Sequence, residues 1–106
     1  MHYRINPETH EVVLCNLMAW AASLENVEAR RVAQSTFGDV RVSTVFLGLD
    51  HSYGEGPPLL FETMVFGPWQ EEYQERYSTW EDAERGHAKA MEWVKNRLKA
   101  EGEPHV

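Results

Sequence analysis

The chain has 106 residues, 42% of them hydrophobic and 25% charged, enough for one domain with one modest core. Its net charge of −7 and pI near 5.1 argue against nucleic acid as a partner, because phosphate neutralisation needs clustered Lys and Arg. The lone Cys15 excludes an internal disulfide, and no apolar run has the length of a membrane span.

The first elements are short. His2 to Ile5 reads as a strand, and Asn6-Pro7-Glu8-Thr9 as a turn. This start has no apolar h-region, so no signal peptide is expected. Residues 11–15 start as extended chain, and Asn16 suits an N-cap. Leu14, Leu17/Met18, Ala21 and Leu24 recur every three to four residues, which predicts a helix over about 14–26.

Ala29 to Thr36 then fits a strand, Phe37-Gly38-Asp39 a hairpin turn, and Val40 to Leu49 a central strand rich in β-branched residues. Asp50 to Pro58 is a loop, since Gly54, Gly56, Pro57 and Pro58 oppose helix and ladder alike. Leu59 to Phe66 is the next strand, closed by Gly67-Pro68. Gln70 to Tyr77 reads as a charged edge strand, with Tyr73 and Tyr77 on one face and Gln74 and Arg76 on the other. Ser78 to Glu81 is a capping box, and Trp80, Ala83, His87, Met91 (or Ala90), Val94 and Leu98 form a helical stripe. A second helix over about 79–100 follows, with residues 101–106 as a frayed polar tail. The expected class is α+β: one antiparallel sheet of about four strands with two helices packed on it.

Several polar residues stand in unusual places. Glu62 shares a strand face with Leu60, Met64 and Phe66, so a buried Glu62 needs a partner. Arg76 on the neighbouring strand is the natural one and Arg31 another; the carboxylate is then an acid or base, or half of a structural pair. His87 follows Gly86 on the apolar stripe of the second helix. It is either a core histidine bonded to a strand carbonyl or part of a site floor, and the glycine marks a close approach. Asp50-His51 closes the central strand and suits a metal, a positioned base or a turn cap. No HxxxH or CxxC spacing, nucleophile elbow or phosphate loop is present. Arg30-Arg31 and Arg76-Tyr77, set among aromatics, suit an anion with a stacking ring.

The strings VSTVFLGLDH, GPPLLFETMVF and RYSTWEDAERGH, with the lead-in NLMAWAASLENVEARRVAQ, resemble a family of small proteins encoded in bacteriophage and prophage genomes. The resemblance covers about residues 16–90 and brings no catalytic residue with it. It implies a phage protein acting in the host cytoplasm, where small acidic proteins of this kind often counter host defence.

Three functions are compatible with these residues. The first is a homo-oligomeric binder, not an enzyme and without cofactor or metal. It would sequester a small nucleotide-type anion of the cyclic nucleotide or cyclic ADP-ribose class through Arg31, Asp50, His51, Glu62, Arg76, Tyr77 and His87. The second is an acidic inhibitor that mimics nucleic-acid charge with Glu71, Glu72, Glu75, Glu81 and Asp82. The third is a metal-assisted hydrolase built on Asp50, His51, Glu62 and His87.

Overall fold

A computed structural model describes residues 1–50, 56–69 and 72–102. Four strands form a simple antiparallel meander, the central two on alternating buried and open positions rich in β-branched residues. They are β3 (Arg31–Phe37), β4 (Val40–Phe46), β5 (Phe61–Phe66) and β6 (Gln74–Tyr77), paired in that order. A separate hairpin joins β1 (His2–Ile5) to β2 (Val12–Cys15). The expected α+β class and four-stranded antiparallel sheet are borne out.

Side-chain parity divides the sheet cleanly. Val40, Val42, Thr44 and Phe46 of β4 are buried, as are Phe61, Thr63 and Val65 of β5. The long helix α3 (Trp80–Gly102) lies on that face and adds Ala83, His87, Ala90 and Val94. One core cluster gathers Val40, Val42, Val65, Trp69, Ala90 and Val94; the other gathers Ile5, Phe46, Leu60, Phe61 and Ala83. Ile5 is how the hairpin enters the core. Leu60 lies just outside β5 and turns to the core, not to the face of Glu62 that alternation assigns it.

The first helix differs from expectation. The stretch 14–26 is broken by its two asparagines. Asn16 accepts the Ala19 N–H at 2.8 Å and starts α1 (Leu17–Ser23). Asn26 accepts the Ala29 N–H at 3.2 Å and starts the single turn α2 (Val27–Arg30). Leu14 stays in β2, opposite Tyr3. No residue of α1 is buried, and Leu17 and Met18 are exposed, so α1 rides on the hairpin rather than burying a stripe against the sheet.

The second helix starts one residue later than the capping box implies. Thr79, not Ser78, caps it, accepting the Asp82 N–H at 3.0 Å. Glu81 and Asp82 complement the helix dipole in the first turn. Glu101 and Gly102, expected in the tail, close α3; residues 103–106 lie outside the described residues. Among those described, no helix is long and apolar enough to cross a membrane.

Gly86 has a definite reason to be glycine. A Cβ there would sit 2.1 Å from the Tyr77 ring and hydroxyl. Alanine normally favours a helix by about 1 kcal/mol over glycine. Here the collision reverses the sign, and Gly86→Ala is expected to cost about 2 kcal/mol. In a Tyr77→Ala background the same change should become stabilising. A denaturation cycle over the four proteins checks this, and equal effects in both backgrounds would sink it.

Candidate functional site

The helix-covered face carries a buried polar chain. His87 Nε2 lies 3.0 Å from Ser35 Oγ on β3, and Nδ1 lies 2.8 Å from Thr44 Oγ1 on β4. Thr44 meets Thr63 of β5 through their hydroxyls. The Tyr77 hydroxyl donates to Glu75 Oε2 at 3.3 Å. The Thr44 and Thr63 hydroxyls can each donate or accept here, and the Ser35 hydroxyl also donates to Met91 Sδ at 3.4 Å. Burial pulls the His87 pKa below its ordinary value and so favours the neutral ring. Burial, and then the charge of Glu75, pushes Tyr73 up to about 12. Burial, followed by Glu75, likewise raises Tyr77, against a lowering bond from Thr63.

Both ring nitrogens of His87 are thus committed inside the core. The residue is a core histidine, bonded to side-chain hydroxyls and not to a strand carbonyl. Among the described residues, no buried side-chain polar atom lacks a partner. Every link is satisfied, so this chain braces the sheet and offers a ligand nothing.

Among the described residues no long helix covers the opposite face, and the register sorts it into three cross-strand rungs. The first holds Thr36, Arg41 and Phe66; the second Gln34, Ser43, Met64 and Gln74; the third Arg31, Val45, Glu62 and Arg76. With Val27 and Arg30 of α2 as one wall, this face forms a hollow of about 300 Å³. Glu62 is its most shielded charge, with 11% of the side chain exposed. Its Oε2 accepts from Arg76 Nε at 2.9 Å and from Gln74 Nε2 at 2.7 Å. The expected Glu62–Arg76 pair is therefore real and follows from direct cross-strand register.

Other arginines here are differently held. Arg41 lies over the Phe66 ring, 4.6 Å from its centroid. Arg30 donates to the carbonyls of Phe46 at 3.2 Å and Leu24 at 3.4 Å, and burial lowers its pKa. Arg31 has one ion pair, a 4.0 Å contact with exposed Glu28. Among the described residues, neither Arg30 nor Arg41 has a carboxylate partner. These three cations retain capacity for an incoming anion.

A second hollow, about 410 Å³, lies between β6 and α3 and is lined by Arg76, Arg85 and Lys89 among others. Each of these cations already has a carboxylate: Glu62, Asp82 and Glu75 respectively. The larger cavity is electrically spent, and the smaller one is the better anion site.

The expected site residues therefore divide. Arg31, Glu62 and Arg76 share the uncovered face. Tyr77 and His87 belong to the covered face, on the far side of the sheet from Glu62. Asp50 accepts the Leu59 N–H at 3.1 Å, pinning the ends of the loop. His51 lies outside the described residues. Glu62 and His87 do not converge on one ion, and no group of three metal-binding side chains exists among the described residues. The acidic stretch is largely neutralised: Glu72 pairs with Arg97, Glu75 with Lys89 and Asp82 with Arg85, while Glu71 lies outside the described residues.

Sequence reasoning missed Arg41, although the signal was present. In Val40-Arg41-Val42-Ser43, alternation puts Arg41 and Ser43 opposite the core valines. Gln74 likewise follows from the parity that pairs Arg76 with Glu62. No family model, curated protein or solved structure matches the chain.

Proposed function

We propose that this chain is a non-catalytic binding protein that takes up a small nucleotide-type anion on the uncovered face of its sheet. One observation carries the reading. In a chain of net charge −7, Arg30, Arg31 and Arg41 line one hollow, with a single long carboxylate contact among them. Such arginines suit bidentate contact with phosphate. The Arg41 guanidinium, laid flat on Phe66, is also a platform for a base. Glu62 also lines the hollow, and its charge is neutralised by Arg76.

The setting we propose is sequestration of a host signalling nucleotide, of the cyclic nucleotide or cyclic ADP-ribose class, by a phage-encoded counter-defence protein in the host cytoplasm. That setting rests on the resemblance of the 42–51, 56–66 and 76–87 strings. The binding claim rests on the hollow.

Calorimetric titration with a panel of cyclic nucleotides and cyclic ADP-ribose tests it. At least one is expected to bind and be recovered unchanged. Arg41→Ala is expected to weaken that ligand about tenfold, the loss of one charge-assisted contact, without shifting thermal stability. An absence of heat across the panel, or full affinity in the variant, overturns the assignment.

A further inference from the structure

The rungs of the uncovered face are not equally charged. Arg41 marks the first and Arg31 the third, where Arg30 stands beside it from α2. Between them, Gln34, Ser43, Met64 and Gln74 carry no charge. Arg31 is level with Val45, four residues along β4 from Arg41. At the usual strand rise, the two charged ends are roughly 13 Å apart along the strand.

The guanidinia of Arg41 and Arg30 also have separate supports. Phe66 holds that of Arg41 at 4.6 Å from its ring centroid, and the carbonyls of Phe46 and Leu24 hold that of Arg30. A single phosphate serving both ends must bring these like charges together. Two phosphates need no such movement. The neutral middle rung offers an amide and a hydroxyl for sugar or base edges, and a thioether for a ring.

We infer that the hollow takes an organic anion with two phosphate groups separated by an uncharged middle, the chemistry of a dinucleotide, in preference to a mononucleotide. One phosphate lies at Arg41 and the other at Arg31 and Arg30. The inference rests on the binding reading above and narrows its ligand class.

The experiment compares a cyclic dinucleotide with the 3′,5′-cyclic mononucleotide of the same base, for adenine and for guanine, by calorimetry at one ionic strength. The dinucleotide is expected to bind at least about tenfold more tightly in one base series, as a second charge-assisted phosphate contact implies. Arg41→Ala and Arg31→Ala should each remove most of that advantage; both side chains are exposed, so folding is unaffected. Equal affinity for the two probes, or a mononucleotide preference, overturns the two-phosphate inference and leaves anion binding standing. An advantage that survives both substitutions overturns it as well. Silence from every probe overturns the binding reading and this inference together.

Discussion

Gly48→Ala is expected to cost about 3 kcal/mol, and most of that loss should appear as release of the N-terminal arm. Gly48 has φ +75°, in the left-handed region where a side chain is strained. A Cβ there would stand 2.6 Å from the Tyr3 carbonyl oxygen and 2.7 Å from Trp20 Nε1. Neither obstacle is the loose end of a flexible chain. The Tyr3 backbone is fixed because its N–H donates to the Gly48 carbonyl at 2.7 Å. The Trp20 indole is fixed because Nε1 donates to the Leu47 carbonyl at 3.2 Å. These two bonds, a bridge from His2 to Leu49 and the stack of His10 on Trp80 tie the β1–β2 hairpin and α1 to the rest.

The chain can relieve the clash only by moving that arm. Hydrogen exchange should show the Tyr3 amide losing protection while β4 and β5 amides keep theirs, alongside a lowered denaturation midpoint. Gly38→Ala is the internal control. Gly38 also has positive φ, at +60°, but a Cβ there meets nothing within 4 Å, so only about 1 kcal/mol of backbone strain is expected. Equal losses at the two glycines would show that conformation alone, and not the docking contact, decides.

Gly48 was not legible as a special position, and the reason is physical. It stands in an apolar run that reads as continuous strand, and the atoms that crowd it come from Tyr3 and Trp20, far away in sequence. Local regularities were legible. Alternation located β4 and β5, the turn at Gly38-Asp39 located the β3–β4 hairpin, and the apolar period located α3. Gly86 was legible as a close approach, but its partner, the Tyr77 ring, was not.

The site was half legible for the same reason. Parity along β5 and β6 brought Glu62 and Arg76 together before any coordinates did. Which sheet face α3 covers is a tertiary fact. It separates His87 and Tyr77 from Glu62, and it leaves Arg41 on the open side. The hydrophobic stripe of 14–24 was misleading, because Asn16 and Asn26 satisfy backbone N–H groups better than a continuous helix would.

His87 gives the second large effect. His87→Ala is expected to cost about 3 kcal/mol, combining a cavity under α3 with the loss of two hydrogen bonds. It should also remove a component of the pH dependence. In the folded chain the imidazole is faced by Ser35 Oγ and Thr44 Oγ1, with Met91 Sδ 3.4 Å from the same Ser35 oxygen. None of these stabilises an added proton by charge, and burial lowers the folded pKa below the ordinary 6.5.

The unfolded chain therefore binds the proton first as pH falls. The contribution of neutral His87 is fully present above pH 6.5 and is lost as pH falls from there through the folded pKa. Protonation also makes both ring nitrogens donors, so neither Ser35 nor Thr44 can then give the ring a hydrogen. The hydroxyls that face the ring must then reorient or lose their bonds to it. Denaturation midpoints for wild type and His87→Ala, measured from pH 7.5 to pH 5, test both statements. The gap between them should be widest at the upper end and narrow steadily below pH 6.5. Parallel profiles would mean that the ring takes up its proton in the folded state as readily as in water, and burial would not be what governs it.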